Sequence, residues 1–213
     1  MYQKFLFYLL FTGILFSCYS QDKKLKIEIQ YGPQGNFGVR DYEERIIPGI
    51  SYTFYEKRFV GTIGGIELKY SVGKKLNVGI GYNRSINKRR INFAPDNIPI
   101  YIEDFTIRHF NDFYQLILER IFTKKKSNFN ISTGLFYYRS AQQEIDASIY
   151  GLGLEERNFK NSGLEDGGAF VGLQFETKID SHFYLGIKSR FFYAISLRYP
   201  EAITLTPSLT YKF

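Results

Sequence analysis

The sequence predicts an all-β fold: a closed, antiparallel, up-and-down transmembrane β-barrel of eight strands. Three observations carry this. Eight runs along the chain alternate apolar and polar residues with period 2, the repeat of a strand with one greasy and one wet face. Read back from the carboxy terminus, short and long connectors between those runs alternate, as periplasmic turns and external loops do in such barrels. Past the first apolar segment, no stretch of about 20 apolar residues offers a spanning helix.

The elements follow in order. The first run sets Leu25, Ile27, Ile29 and Tyr31 against Lys26, Glu28 and Gln30. The second, roughly Val60 to Ser71, sets Ile66, Leu68 and Tyr70 against Gly65, Glu67 and Lys69. The third carries Leu76, Val78, Ile80 and Tyr82 opposite Asn77, Gly79, Gly81 and Asn83. The fourth carries Tyr114, Leu116, Leu118 and Phe122 opposite Gln115 and Glu119; Arg120 interrupts its apolar face, where a long side chain can snorkel to the interface. The fifth alternates from Phe129 to Tyr137, the sixth around Leu173, Phe175 and Ile179, and the seventh from Phe183 to Tyr193. The eighth, Ile203 to Phe213, alternates without a break. Its length matches the roughly 9–11 residues that a tilted strand needs to cross a bilayer.

Three connectors are short: Val72 to Lys75, Thr123 to Ser127, and around Asp180-Ser181. Four are longer: about Gly32 to Phe59, Asn87 to Asp104, Gln142 to Gly167, and Ser196 to Ala202. Ile50 to Tyr55 also alternates. It either prolongs the second strand past a bulge near Gly61, or pairs with a short strand near Phe37 to Tyr42 and raises the count to ten.

The amino terminus has the form of a secretory signal. Lys4 precedes the apolar run Phe5 to Phe16, and Cys18-Tyr19-Ser20 places small residues at −3 and −1 of a cut before Gln21. Residues 1–20 are therefore expected to be the signal and residues 21–213 one barrel domain. A rival reading makes Leu15 to Cys18 a lipoprotein cleavage box with Cys18 lipidated, against which Phe16 is bulky. Cleavage before Gln21 leaves no cysteine, so disulfides do not stabilise the mature chain. Mean hydropathy is −0.24, as expected when only alternate residues meet lipid. The net charge of +7 is scattered, with lysines clustered in short turns, which argues against a nucleic-acid groove.

These features together resemble the small outer-membrane β-barrel proteins of diderm bacteria. The resemblance rests on the signal, the eight alternating strands and the ending Leu209-Thr210-Tyr211-Lys212-Phe213. It implies an outer-membrane location. It also implies that Leu209, Tyr211 and Phe213 form the label read by the barrel-assembly machinery. Pro207 departs from the pattern, because it donates no ladder hydrogen bond, and is expected at a bulge or near a rim.

In such a barrel the inward set is Lys26, Glu28, Glu67, Lys69, Glu119, Glu176, Lys178, Lys188 and Arg190. Eight strands leave an interior just wide enough for side chains, so the expected lumen is an ion-paired plug with glycines making room. No catalytic, cofactor or metal residue is assigned. His109, with Asp104, Asp112 or Ser140 nearby, is the one candidate base, and is expected to be a rim residue in water. His182 falls in a short turn. Glu103-Asp104 and Glu155-Glu156 read as solvated charge. Gly32 to Gly38 and Gly151 to Glu156 read as flexible loops, since neither joins a strand to a helix. Lys88-Arg89-Arg90 is suited to bridging lipopolysaccharide phosphates, with simple solvation as the other reading. The expectation is a non-enzymatic monomer in contact with outer-membrane lipid and lipopolysaccharide. A lipid-modifying enzyme and a small-solute channel are the alternatives.

Overall fold

Ten β-strands form one sheet, and eight lines of strand close it into a ring. The computed structural model describes residues 25–37, 50–57, 59–73, 75–95, 102–124, 126–148, 153–158 and 165–213. The signal expected at residues 1–20, with Cys18, lies outside these residues. The strands are β1 (Leu25–Asn36), β2 (Ile50–Lys57), β3 (Val60–Ser71), β4 (Leu76–Pro95), β5 (Ile102–Lys124), β6 (Ser127–Ser148), β7 (Gly153–Asn158), β8 (Glu165–Lys178), β9 (Phe183–Ala194) and β10 (Tyr199–Lys212). All pairings are antiparallel. The ring runs β1, β3, β4, β5, β6, β8, β9, β10 and back to β1. Within the ring each strand lies beside the next ring strand in the chain, so the topology is up-and-down.

The eight-stranded reading holds, and β2 and β7 explain the ambiguity about ten. β2 pairs with residues 89–95 of β4, directly above the stretch where β3 pairs with β4. It ends at Lys57 and β3 begins at Val60, so the two strands share one line and Gly61 lies inside β3. β7 pairs with residues 143–148 of β6 and stands above β8 in the same way. Of the rival partner strand near Phe37 to Tyr42, residues 38–42 lie outside the described residues.

Two expected connectors shrink. The stretch Asn87 to Asp104 is mostly strand, because β4 runs 20 residues and β5 runs 23. At about 3.3 Å per residue both exceed what a bilayer needs, so β4, β5 and β6 stand well out of the membrane. Ser196 to Ala202 becomes a tight turn over residues 195–198, with Arg198 in the left-handed region (φ 51°) and its N–H donated to the Ile195 carbonyl at 3.2 Å. Gly32 to Asn36 of the glycine-rich segment belongs to β1, and residues 153–156 of the second belong to β7; neither is the loop expected.

The ladder is bulged near Pro200, Phe54 and Ile91, and it opens at the seam where β1 meets β10. β1 and β10 pair at Gln30–Ser208 and resume at Gln34–Thr204 in the same register. The open stretch contains Pro33 and Pro207, neither of which can donate. A Cβ on Gly32 would lie 2.6 Å from the Leu205 carbonyl, so only glycine allows the strands this close. Pro207 thus sits mid-strand, not near a rim, and the closed ring tolerates it by opening the ladder locally.

Candidate functional site

The alternation of each strand sorts side chains into two environments. Ile29, Ile66, Ile80, Leu116, Leu135, Leu173, Ile187 and Leu205 point outward, each about half exposed or more. A continuous band of bare Ile, Leu, Val and Phe is far larger than a water-facing surface carries. The closed ring above satisfies the backbone, as hydrocarbon requires. The chain is therefore a membrane-spanning barrel, and this band is its lipid face. Arg120 lies outward as expected, with its guanidinium 5.4 Å from the Phe122 ring centre.

The lumen has three storeys. The lowest and largest is ionic. Glu67, with no exposed surface, accepts from Arg190 through two nitrogens, from Lys188 at 2.9 Å and from Gln30 Nε2 at 2.9 Å, with Lys69 at 3.2 Å. Lys69 also donates to Glu28 at 2.9 Å and Glu119 at 2.6 Å, and Lys188 pairs with Glu28. Three carboxylates and three cations thus neutralise one another in a site closed to water. A satellite at the periplasmic end joins Lys212 to Glu176 at 2.9 Å. Small residues make room for these long chains: a Cβ on Gly172 would lie 2.8 Å from Arg190 Cγ. Lys178, expected inward, is exposed, because β8 ends there and the alternation no longer faces the lumen.

The middle storey is apolar and was missed in the sequence. Ile63, Phe113, Phe136, Tyr138, Phe170 and Phe192 pack together across the lumen, with Phe113 5.1 Å from Phe192 and 5.8 Å from Phe136 between ring centres. Arg190 joins the storeys, its guanidinium 4.8 Å from the Phe170 ring centre. The signal was present where both faces of a strand are aromatic, as in Phe136-Tyr137-Tyr138 and Phe191-Phe192-Tyr193.

The upper storey is polar: Gln34, Asn36, Ser85, Asn87, Asn111, Ser140, His109 and Glu201, all buried. His109 is not a rim residue in water. It is 2 % exposed, and its Nε2 lies 3.2 Å from Ser140 Oγ, because β5 and β6 continue above the membrane and keep it inside the wall. Ser140 and His109 are therefore brought together. Asp112 faces the other way, outward, where it holds Arg84. The side chains of Asp104, Glu103, Glu155, Glu156, Arg89 and Arg90 lie outside those described. His182 occupies the turn before β9 and stacks 5.7 Å from Tyr211. Among the described residues no group of His, Cys, Asp and Glu could hold a metal ion.

No family model and no curated protein matches the chain. Among solved structures, the chain resembles Neisserial surface protein A, at 10 % identity and a TM-score of 0.50, over 89 % of this chain and 97 % of that one. It also aligns with Ail, the attachment invasion locus protein of Yersinia pestis, at 10 % identity and TM-score 0.47, over 89 % and 99 %. OprG, an outer membrane protein of Pseudomonas aeruginosa, aligns at 10 % identity and TM-score 0.46, over 87 % and 95 %. The first of these likenesses shows a shared barrel fold.

Proposed function

We propose that this chain is an integral outer-membrane barrel that works without catalysis and without conducting solutes, through the surface it holds above the membrane. One observation carries the reading: the lumen is closed twice, by the neutralised ionic storey and by the aromatic layer over it. A pore would need a continuous wet path, and a filled eight-stranded lumen offers none. Catalysis by Ser140 and His109 would need substrate at the Ser140 oxygen, and both side chains are sealed inside the wall. What remains accessible is the outer surface. Strands β4, β5 and β6 overshoot the bilayer, with β2 and β7 widening the projection, which makes a stiff platform for envelope components or a partner.

Outer-membrane lipid and lipopolysaccharide are the expected contacts of the wall. The barrel-assembly machinery is the expected reader of Phe213, which lies exposed with its ring edge-on to Tyr211 at 4.7 Å. Planar-bilayer recording tests the closed lumen: no steady current is expected, and an open current of porin size would overturn it. Cells expressing His109→Ala should show unchanged lipid A structure. Loss of a lipid modification in that variant would favour the enzyme instead.

A further inference from the structure

The lowest buried ring of the lumen lies where β1 begins and β10 ends. β1 enters this ring at Lys26 and β10 leaves it at Lys212. The register sets the two lysines directly opposite each other across the seam. Lys69 of β3 flanks Lys26 on its other side. Three cations therefore stand abreast on neighbouring strands, an arrangement that repels unless each meets an anion.

Two of the three do. Lys69 donates to Glu28 at 2.9 Å and to Glu119 at 2.6 Å. Lys212 donates to Glu176 at 2.9 Å and lies 3.2 Å from the centre of the Tyr184 ring. Lys26 has no ion pair and no hydrogen bond among the described residues. Glu119 and Glu176 attract it from a distance, but both are already shared. Glu119 also accepts from Asn77 Nδ2 at 2.7 Å, and Glu176 from Asn128 Nδ2 at 2.7 Å. Below the aromatic layer the buried side chains thus hold five cations against four carboxylates, and Lys26 is the fifth cation. It is 6 % exposed, and a charge so buried is costly without a counter-charge.

The surroundings of Lys26 are those of a pocket mouth. Lys26, Lys212, Asn128 and Ile121 each keep 6–8 % of their surface, against 0–2 % for Glu67, Lys69 and Glu119 deeper in the lumen. A ligand therefore reaches Lys26 from the end of the barrel where the strand register places Lys212, the periplasmic end. Ile121 faces inward two residues beyond Glu119 on β5, and the half-buried Tyr184 ring gives the mouth a second apolar side. Apolar walls around a few placed polar groups are the usual make-up of a small-molecule site.

Charge and placement decide which anion fits. The deficit is a single negative charge. A phosphate monoester carries about −1.5 to −2 near neutral pH, which exceeds the deficit and sets it against Glu176 and Glu119. A carboxylate supplies one charge and two oxygens, as the four glutamates do for the other cations. A phospholipid phosphodiester also carries one charge, but it stands outside the wall: Leu25 and Ile27, the chain neighbours of Lys26, face the lipid while Lys26 faces the lumen. We propose that the periplasmic mouth binds one small organic monocarboxylate, its carboxylate bridging Lys26 and Lys212 and its apolar part against Ile121 and Tyr184. The proposal adds a ligand site to the membrane-barrel reading and rests on it for the naming of the two ends.

The test uses the full mature chain refolded in phosphatidylcholine nanodiscs and titrated with hexanoate at fixed ionic strength. Amide NMR signals of Lys26, Ile121 and Lys212 report binding. They should shift and saturate with hexanoate, but not with hexanol, inorganic phosphate or chloride. Doping the discs with phosphatidylglycerol should leave the hexanoate affinity unchanged. Lys26→Met should weaken hexanoate at least roughly tenfold, the strength usual for a hydrogen bond to a charged group. The same variant should unfold at a urea concentration equal to or above that of the wild type, because an apolar side chain replaces a buried cation with no partner in the barrel. Lys178→Gln, on the exposed end of β8, should bind as the wild type does. No saturation by hexanoate, equal binding by Lys26→Met, or saturation by hexanol or phosphate overturns the proposal. So does competition by phosphatidylglycerol, which would make a lipid headgroup the occupant. A lower urea midpoint for Lys26→Met also overturns it, since Lys26 would then be balanced within the barrel. A wild type whose gel migration is not heat-modifiable would instead refute the membrane reading beneath it.

Discussion

Replacing Glu67 by Gln isolates the energetics of the ionic storey. The two side chains have nearly the same shape, so no cavity opens and the backbone need not move. What changes is charge. Glu28, Glu67 and Glu119 balance Lys69, Lys188 and Arg190, and the variant leaves that enclosure one positive charge in excess. Removing one partner from a buried ion pair costs about 3–5 kcal/mol. Glu67 meets all three cations, but Glu28 and Glu119 still reach Lys69 and Lys188, so Arg190 suffers most and the loss should lie inside that range. Glu67→Gln combined with Arg190→Gln restores neutrality and should recover at least about 1–2 kcal/mol relative to the sum of the single changes. The chain has no tryptophan, so urea titrations of the barrel in phospholipid vesicles are best followed by circular dichroism and by the migration of unboiled samples. A cost below about 1 kcal/mol for Glu67→Gln, or strict additivity in the double variant, would mean that the Glu67 charge does not hold the ionic storey together.

Three further outcomes follow from other parts of the barrel. Phe113→Ala removes a fully buried ring that touches Phe136, Tyr138 and Phe192, and should cost about 3–5 kcal/mol in the same titrations. The ionic storey beneath should keep this variant electrically silent, and a steady current would show that the aromatic layer alone seals the lumen. At the seam, the amides of Tyr31 and Leu205, which point into the open stretch, should exchange with deuterium faster than those of Leu185 to Ser189, whose ladders are unbroken; equal protection would mean that the open stretch closes in the membrane. Phe213→Ser should slow insertion in cells while leaving refolding in detergent unchanged, because its ring packs only on the outer face; defects in both would make Phe213 a stability residue instead of an assembly label.

Strand identity and facing were legible because they are local. Period-2 alternation needs no partner to be read, so Glu28, Glu67, Lys69, Glu119, Lys188 and Arg190 fell on the inward side from the sequence alone, and Ile80, Leu116 and Leu205 on the lipid side. The filled ionic lumen followed from strand number. The upper halves of β4, β5 and β6 were not legible. Above the bilayer neither face has to be greasy, so the alternation that betrays a strand fades, and ladder pairing alone sustains it. The same overshoot turned His109 from an expected rim residue into a buried one. The aromatic storey was hidden because Phe136, Tyr138 and Phe192 sit in runs where both faces are apolar, and alternation then carries no sign of direction.

Local alternation decided which side chains turn to lipid along the regular part of each strand, since that choice depends only on the order of neighbours within it. Register decided the rest. It set Lys26 opposite Lys212, gathered three acids and three bases from β1, β3, β5 and β9 around one point, and left Pro33 and Pro207 within the same open stretch of seam. The ionic contacts alone join residues up to 160 positions apart, and only closure of the ring fixes which of them stand side by side.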